Sequence, residues 1–422
     1  MCGIAGLVQL DRDVRLPVDE LRRTSAALAR RGPDGEGEWI SPTGRAALAH
    51  RRLAVIDLSK AAAQPMSGAR EQQVLVFNGE IYNFRELSRQ AEARGEEPAT
   101  SDTAVLLGLL SREGLRGLAR LRGMFAFGFW DEVSGELWLA RDPCGIKPLY
   151  YSTSGGCLRF ASQVKALEAG GGLSPAVDPA AVAGFLAWGS VPEPLTLRSA
   201  IRSLPAGHCL RASIERGVRI EPLPSSHDEG DPESLGEAID ESLREHLVAD
   251  VPLAVFLSAG LDSAMTAALA RRHLPEPPTA LTLTFAESRG GPFDEEPGAR
   301  AVARALGLPQ IVRTITGEEV RALLPEILAA MDQPSIDGFN TYLVARLARQ
   351  EGFKVALSGL GGDELLGGYP SFRGAERLRR RARRLARLPG LTALWPPLAR
   401  WLTPRRPKVA GVLRHGGSLA GA

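Results

Sequence analysis

Cys2 is the first side chain in the sequence with nucleophilic chemistry, and it directly follows the initiator methionine. Loss of Met1 would place a thiol of ordinary pKa ~8.5 and an α-amine of ~7.7–8.0 on one residue, a nucleophile with its own base. The amine could take the thiol proton through a water and return it to a leaving group, the N-terminal form of a catalytic triad. Alone, a Cys at position 2 is usually just a small residue near a terminus. Its company alters that. Arg31-Gly32-Pro33-Asp34, His50-Arg51-Arg52, Asn78-Gly79-Glu80-Ile81-Tyr82-Asn83, Ser101-Asp102-Thr103, Arg141-Asp142-Pro143 and Gly145-Ile146-Lys147-Pro148 follow in order. A second constellation is Leu257-Ser258-Ala259-Gly260-Leu261-Asp262-Ser263, after an apolar run and before a helical one. Small residues there let the backbone wrap an anion, and a helix N-terminus adds N–H donors. No GxxxxGK[ST] occurs in the chain, so this is not a Walker loop. A third is Ser358-Gly359-Leu360-Gly361-Gly362-Asp363-Glu364, which continues to Gly367-Gly368-Tyr369.

The elements that must carry these residues read as two domains, for which 422 residues suffice. Strands are expected over 4–10, 46–57, 73–77, 123–130, 136–141 and 149–152, and helices over 21–31 and 102–114. This pattern of short strands between Gly/Pro turns suggests packed sheets flanked by helices. Residues 170–232 read as a connecting region ending in a loose linker. A helix restarts over 234–249. Strands over 253–257, 279–285, 310–314 and 354–357 then alternate with helices over 264–272, 297–306 and 342–350. That rhythm implies a doubly wound parallel sheet. The formal net charge of +2 gives no global field for nucleic acid or membrane. The four cysteines have neither CxxC nor zinc-type spacing, and no apolar run approaches a spanning length, so a cytoplasmic, reducing setting is expected. The arginine-rich run from Arg377 to Arg387 reads as an exposed basic helix face.

Over residues 2–167 the ordered motifs resemble class II glutamine amidotransferases, specifically the asparagine synthetase branch, and the match is highly specific. The resemblance implies an N-terminal αββα (N-terminal nucleophile) sandwich over 2–210, connecting segment included. A doubly wound α/β synthetase domain then follows over 234–422, incomplete at its C-terminus. It makes Cys2 the nucleophile that strips ammonia from glutamine, with Asn78 and the Gly79 N–H as oxyanion hole. Arg52 would hold the α-carboxylate of glutamine, while Glu80 and Asp102 take its α-ammonium. Charge logic agrees, since a free amino acid needs one cation and one or two anions around it, and a guanidinium fork suits a carboxylate. Arg31–Asp34 reads as a structural turn.

The second loop resembles the pyrophosphate loop of N-type ATP pyrophosphatases. By that resemblance Leu257, Ser258, Gly260, Asp262, Ser263, Ser358 and Gly359 line an ATP site, with Phe285 near the adenine. Asp262 and Asp363 hold Mg²⁺, a hard cation suited to carboxylate oxygens. The implied activity is glutamine-dependent asparagine synthesis, with aspartate the default acceptor. The alternatives are amidation of another carboxylate, or a glutaminase with an inactive second domain. A homodimer is one assembly the chain could form.

Three departures bear on the acceptor and the nucleotide loop. Leu360 stands where the family usually has an acid. Gln333 in Asp332-Gln333-Pro334-Ser335-Ile336-Asp337 replaces a Glu, and Ala259 replaces a second loop glycine. Family members also continue beyond the Gly367-Gly368-Tyr369 signature with a further charged cluster, so a truncated chain is expected.

Overall fold

Period-two alternation builds the N-terminal half. In the Gly3–Gln9 strand, Ile4 and Val8 face a core shared with Val74, Val76, Trp130 and Phe160. Ala5 and Leu7 face the other way, onto Leu21, Leu28, Val164 and Leu167. The computed structural model describes residues 1–68, 72–224 and 234–369, and beyond them Phe372, Gly374, Arg377 and Arg380. Most of the expected arginine-rich helix face therefore lies outside the described residues.

Two antiparallel six-stranded sheets stack face to face. The first runs, edge to edge, Arg202–Ser203, Tyr150–Ser152, Cys157–Ala161, Gly3–Gln9, Ala46–Arg52 and Gly35–Ile40. The second runs Gly217–Pro222, His208–Ser213, Glu136–Arg141, Gly123–Asp131, Gln73–Ile81 and Met66–Ser67. Phe160 fills the gap between them. A Cβ on Gly6 would collide with its ring, and one on Gly128 would approach it to 2.7 Å. Helices Val18–Ala27 and Val164–Gly170 pack outside the first sheet, and Phe84–Glu92 and Asp102–Glu113 outside the second. The expected αββα sandwich is borne out.

The C-terminal half is a parallel sheet in the order Gln310–Ile315, Thr279–Phe285, Leu253–Phe256, Val355–Leu357. Ala267, Ala270, Ala299 and Ala303 cover one face, and Leu347, Ala348, Ile327 and Leu343 the other. Strand order reverses between Leu253–Phe256 and Val355–Leu357, the switch point at whose carboxyl ends ligands bind in such sheets. By contacts the chain forms two units. One is Met1–Ala259 with Thr266–Leu357, and the other is Gly260–Met265 with the described residues from Ser358 onward.

Several elements differ from expectation. The strand expected over 46–57 stops at Arg52, because the chain then turns past Cys2. The one expected to end at Phe77 continues to Ile81, since Asn78–Ile81 keep their pairing with Ala126–Gly123. Part of the stretch read as connecting segment is the hairpin His208–Ser213/Gly217–Pro222, which extends the second sheet. Helix Gly317–Ala330 was not expected, because Pro325 interrupts its pattern. A capping box between Thr316 and Glu319 starts it nonetheless.

The C-terminal half also docks onto the sandwich. Asp332 accepts the Val164 and Lys165 N–H groups, each at 2.9 Å, at the start of helix Val164–Gly170. Lys165 Nζ in turn donates to Leu328 O at 3.3 Å and Ala329 O at 3.1 Å, the last turn of Gly317–Ala330. Gln333 Oε1 accepts the Leu197 N–H at 2.9 Å, a contact that an amide carbonyl makes as well as a carboxylate would.

Candidate active site

Cys2, Arg52, Asn78, Gly79, Glu80 and Asp102 line one cavity of about 210 Å³. Strand pairing puts them there. Gly3 opposes Arg51, so Cys2 falls beside the turn that follows Arg52. The Leu53 N–H points at Cys2 Sγ from 3.4 Å, and the Leu53 carbonyl lies 3.7 Å from the same sulfur. Burial pushes the thiol pKa up, and the Leu53 backbone contact opposes it. Arg52 donates to Ser59 O at 2.7 Å and to Asp57 O, so part of its guanidinium shapes the turn on which it stands.

Asn78, Gly79 and Glu80 sit in the Gln73–Ile81 strand, opposite Ala126, Phe125 and Met124. Asn78 is 1% exposed, yet its Nδ2 has no hydrogen-bond partner among the described residues. A buried donor left unpaired costs ~1–3 kcal/mol, so it marks a group held ready for a ligand oxygen. A Cβ on Gly79 would collide with Met124 O, so only glycine fits that register. Asp102 opens helix Asp102–Glu113, behind an N-cap in which Ser101 Oγ accepts the Ala104 N–H. Its carboxylate accepts Thr103 N–H at 2.7 Å and Ile81 N–H at 3.2 Å. Burial nevertheless raises its pKa from 3.8 to about 7. Burial raises Glu80 too, against the pull of Lys147.

Three lining or flanking groups had no assigned role from sequence. Lys147 borders the cavity, and burial lowers its ammonium pKa; its motif had been noted without a role. Gln64 accepts the Phe77 N–H at 2.6 Å and donates to Thr103 Oγ1 at 3.3 Å, and it lies in a stretch with no recognisable pattern. Arg31, read only as part of a turn, donates from Nε to the Cys2 carbonyl at 2.9 Å, while its buried Nη2 has no partner among the described residues. The Met1 amine reaches the same cavity, and burial lowers its pKa from 8.0 to about 5, although 53% of Met1 is exposed.

Of the residues expected to line a nucleotide, Leu257, Ser258 and Phe285 belong to the first unit. Leu257 is buried and accepts Thr282 Oγ1–H at 2.8 Å. Phe285 ends its strand partly exposed. In the second unit Ser263 Oγ donates to Gly260 O at 3.0 Å. The 358–363 loop closes on Asp262: a Cβ on Gly359 would lie 2.7 Å from its carbonyl carbon, and one on Gly362 would strike its carboxylate. Asp363 lies in the first turn of the short helix Gly362–Leu366. Two carboxylates on abutting glycine loops have oxygen-donor chemistry that would suit a hard divalent cation. Ala259 is harmless to the backbone, since Asp57 alone among described non-glycine residues has a positive φ. The Ala259 methyl faces Gly298, where a Cβ would come within 2.7 Å of it.

Comparison with known proteins agrees with this architecture. Residues 1–221 match the glutamine amidotransferase domain and residues 234–418 the asparagine synthase domain. The chain belongs to the asparagine synthase family. Within that family it is 35% identical over 403 residues to a putative glutamine-hydrolysing asparagine synthetase of Mycobacterium tuberculosis, covering 88% of this chain and 61% of the relative. It is 33% identical to asparagine synthetase 1 of Bacillus subtilis, covering 88% of this chain and 60% of that protein. It is 29% identical to the amidase chry2 of Gibberella zeae, with the same two coverages of 88% and 60%. This asparagine synthase family chain thus spans about 61% of the length of its first relative. No helix among the described residues is long and apolar enough to cross a membrane.

Proposed function

We propose that this protein takes ammonia from glutamine at Cys2 and transfers it to a carboxylate activated by ATP, with aspartate as the acceptor and asparagine, AMP and pyrophosphate as products. The observation that carries the reading is the unpaired Asn78 Nδ2 in the cavity that also holds the Cys2 sulfur. With Met1 removed, the Cys2 amine takes the thiol proton and the thiolate attacks the side-chain amide carbon of glutamine. Asn78 Nδ2 and the Gly79 N–H receive the oxyanion; such donors are worth ~2.7–4 kcal/mol each. The C–N bond breaks, ammonia leaves with the proton, and water hydrolyses the thioester to glutamate. Arg52, Glu80 and Asp102 hold the α-carboxylate and α-ammonium.

In the second half Leu257, Ser258, Gly260, Asp262, Ser263, Ser358 and Gly359 bind ATP, with Phe285 by the adenine. Asp262 and Asp363 would hold Mg²⁺, which neutralises phosphate charge. The acceptor carboxylate displaces pyrophosphate from the α-phosphorus, and ammonia then displaces AMP. Leu360, 87% exposed and without an acid, favours a second reading in which the acceptor is a carboxylate other than aspartate. The amidase named among the relatives points the same way.

Glutamate and pyrophosphate release should be followed with a panel of carboxylates. Cys2→Ala should abolish glutamate formation while free ammonia still supports acceptor-dependent pyrophosphate release. Glutamate formation surviving in Cys2→Ala would overturn the glutaminase assignment. Pyrophosphate release triggered by another carboxylate but not by aspartate would replace the acceptor.

A further inference from the structure

The turn that holds the Cys2 sulfur is gripped on two sides by the synthetase half. On one side Lys354 Nζ donates to Asp34 Oδ2 at 2.7 Å, and the same oxygen accepts the Ala54 N–H at 2.9 Å. On the other side the Asp250 N–H donates to Val55 O at 2.9 Å, and Asp250 Oδ2 accepts the Asp57 N–H at 2.8 Å. Residues 53–57 therefore have three of their backbone polar groups tied, directly or through Asp34, to residues beyond the sandwich. Asp57 adds a reason for such support. Its φ of 49° is in the left-handed region, a conformation that persists when its surroundings fix it.

The turn matters because of its two ends. Arg52 leads into it, and the Leu53 N–H is the backbone donor aimed at Cys2 Sγ. A donor at that sulfur favours thiolate over thiol. Lys354 and Asp34 are both partly exposed, so solvent screens their attraction; what the pair supplies is the position of a carboxylate oxygen that the Ala54 N–H needs. Lys354 directly precedes the Val355–Leu357 strand, and Asp250 lies just before its neighbour Leu253–Phe256. These are the two strands that lead into the nucleotide loops.

We propose that Asp250 and Lys354 are positioning residues for glutamine hydrolysis, fixing from the synthetase sheet the Leu53–Asp57 turn that orients the Cys2 sulfur. The inference rests on Cys2 being the glutaminase nucleophile. It makes the thiol's reactivity depend on the parallel sheet even when no nucleotide is bound.

The test uses the full chain and two alkylating probes, iodoacetamide and a diazoketone analogue of glutamine. Rates of Cys2 modification are followed by mass spectrometry between about pH 6 and 9, bracketing an ordinary thiol pKa. Asp250→Ala with Lys354→Met should move the alkylation midpoint to higher pH and slow modification at neutral pH about tenfold, the factor expected from losing a charge-assisted hydrogen bond. Lys354→Arg should recover most of the rate. Lys165→Met, at the separate junction with Gly317–Ala330, should alkylate like wild type. Lys354 itself borders the Cys2 cavity, so Lys354→Arg, which keeps that charge, separates its field from its hold on Asp34; the other charged groups around the sulfur, namely the N-terminal amine, Arg31, Arg52, Glu80, Asp102 and Lys147, are unchanged in all these variants. If wild-type Cys2 is not modified by the glutamine analogue, the glutaminase reading itself fails. If wild type is modified and the double variant keeps its pH midpoint and rate, the positioning role is wrong. Equal slowing in Lys165→Met would also overturn it, by showing a general loosening.

Discussion

Asp102 is a largely buried carboxyl group, 5% exposed in the wall of the Cys2 cavity, and two opposite consequences follow. Its pKa is raised from 3.8 to about 7, chiefly by burial. A raised carboxyl favours the folded state fully below the unfolded pKa, and that contribution is lost as pH rises through the folded pKa. The stability of wild type relative to Asp102→Asn should therefore fall between about pH 4 and pH 7, then level off. Thermal melts of the two proteins across that range read the difference directly, and a constant gap would refute the assignment. Under the proposed function glutamine binding has the opposite sign, because the ammonium assigned to Asp102 would need the carboxylate. In wild type the KM for glutamine should rise as pH falls below about 7, a dependence that Asp102→Asn should lack. The ordered motifs, through their resemblance to class II glutamine amidotransferases, brought Asp102, Glu80, Asn78 and Arg52 to attention beside Cys2, although Arg52, Glu80 and Asp102 taken singly read as surface charges. Lys147 stood in a motif that carried no role, and Gln64 reaches the cavity through a loop path that leaves no local trace. Arg31 looked like a turn residue because its partner, the Cys2 carbonyl, is a backbone atom.

The Gln73–Ile81 strand carries three site residues only because it does not end where its apolar residues end. The continuous apolar run stops at Phe77, and Asn78-Gly79 looks like a breaker, so the last stretch of pairing was not legible. Gly79 explains the register: with Phe125 opposite and Met124 O close, no side chain fits. Gly79→Ala should destabilise the fold by ~1–3 kcal/mol through overpacking against backbone, which cannot swing aside as a side chain would. It should also lower kcat for glutamine more than it raises KM, since the N–H proposed to meet the oxyanion would shift. A melting temperature and kcat equal to wild type would show that the strand accommodates the methyl. Other elements were hidden for related reasons. Gly35–Ile40 is an edge strand with glutamates outward, so apolar alternation is missing from it. The Gly317–Ala330 helix is signalled by its capping box rather than by its interrupted interior. The parallel sheet was legible because its strands alternate with helices from residue 253 onward, although Thr279–Phe285 and Gln310–Ile315 carry Thr and Arg between their apolar residues.

At the scale of the molecule, the Pro179–Trp188 helix does not fit a water-facing position. Its ten residues are all apolar or glycine, and Ala181 alone is buried. Asp178 caps it through the Ala180 N–H at 3.0 Å, so the helix is properly started and is not a misread loop. Leu186 and Trp188 are each 78% exposed. A helix that is apolar on every side is ordinarily buried, and one left open is an association liability. Changing these two side chains should therefore act on solubility rather than on folding. Leu186→Lys with Trp188→Gln should reduce light scattering at matched protein concentration, while the stability changes by no more than about 0.5 kcal/mol, the usual range for exposed sites. Glutamine hydrolysis should be unaltered, since neither residue borders the cavity that holds Cys2. A large drop in melting temperature would mean that the helix face is packed in solution. Unchanged scattering would mean that the self-association of the chain, if any, runs through a different surface.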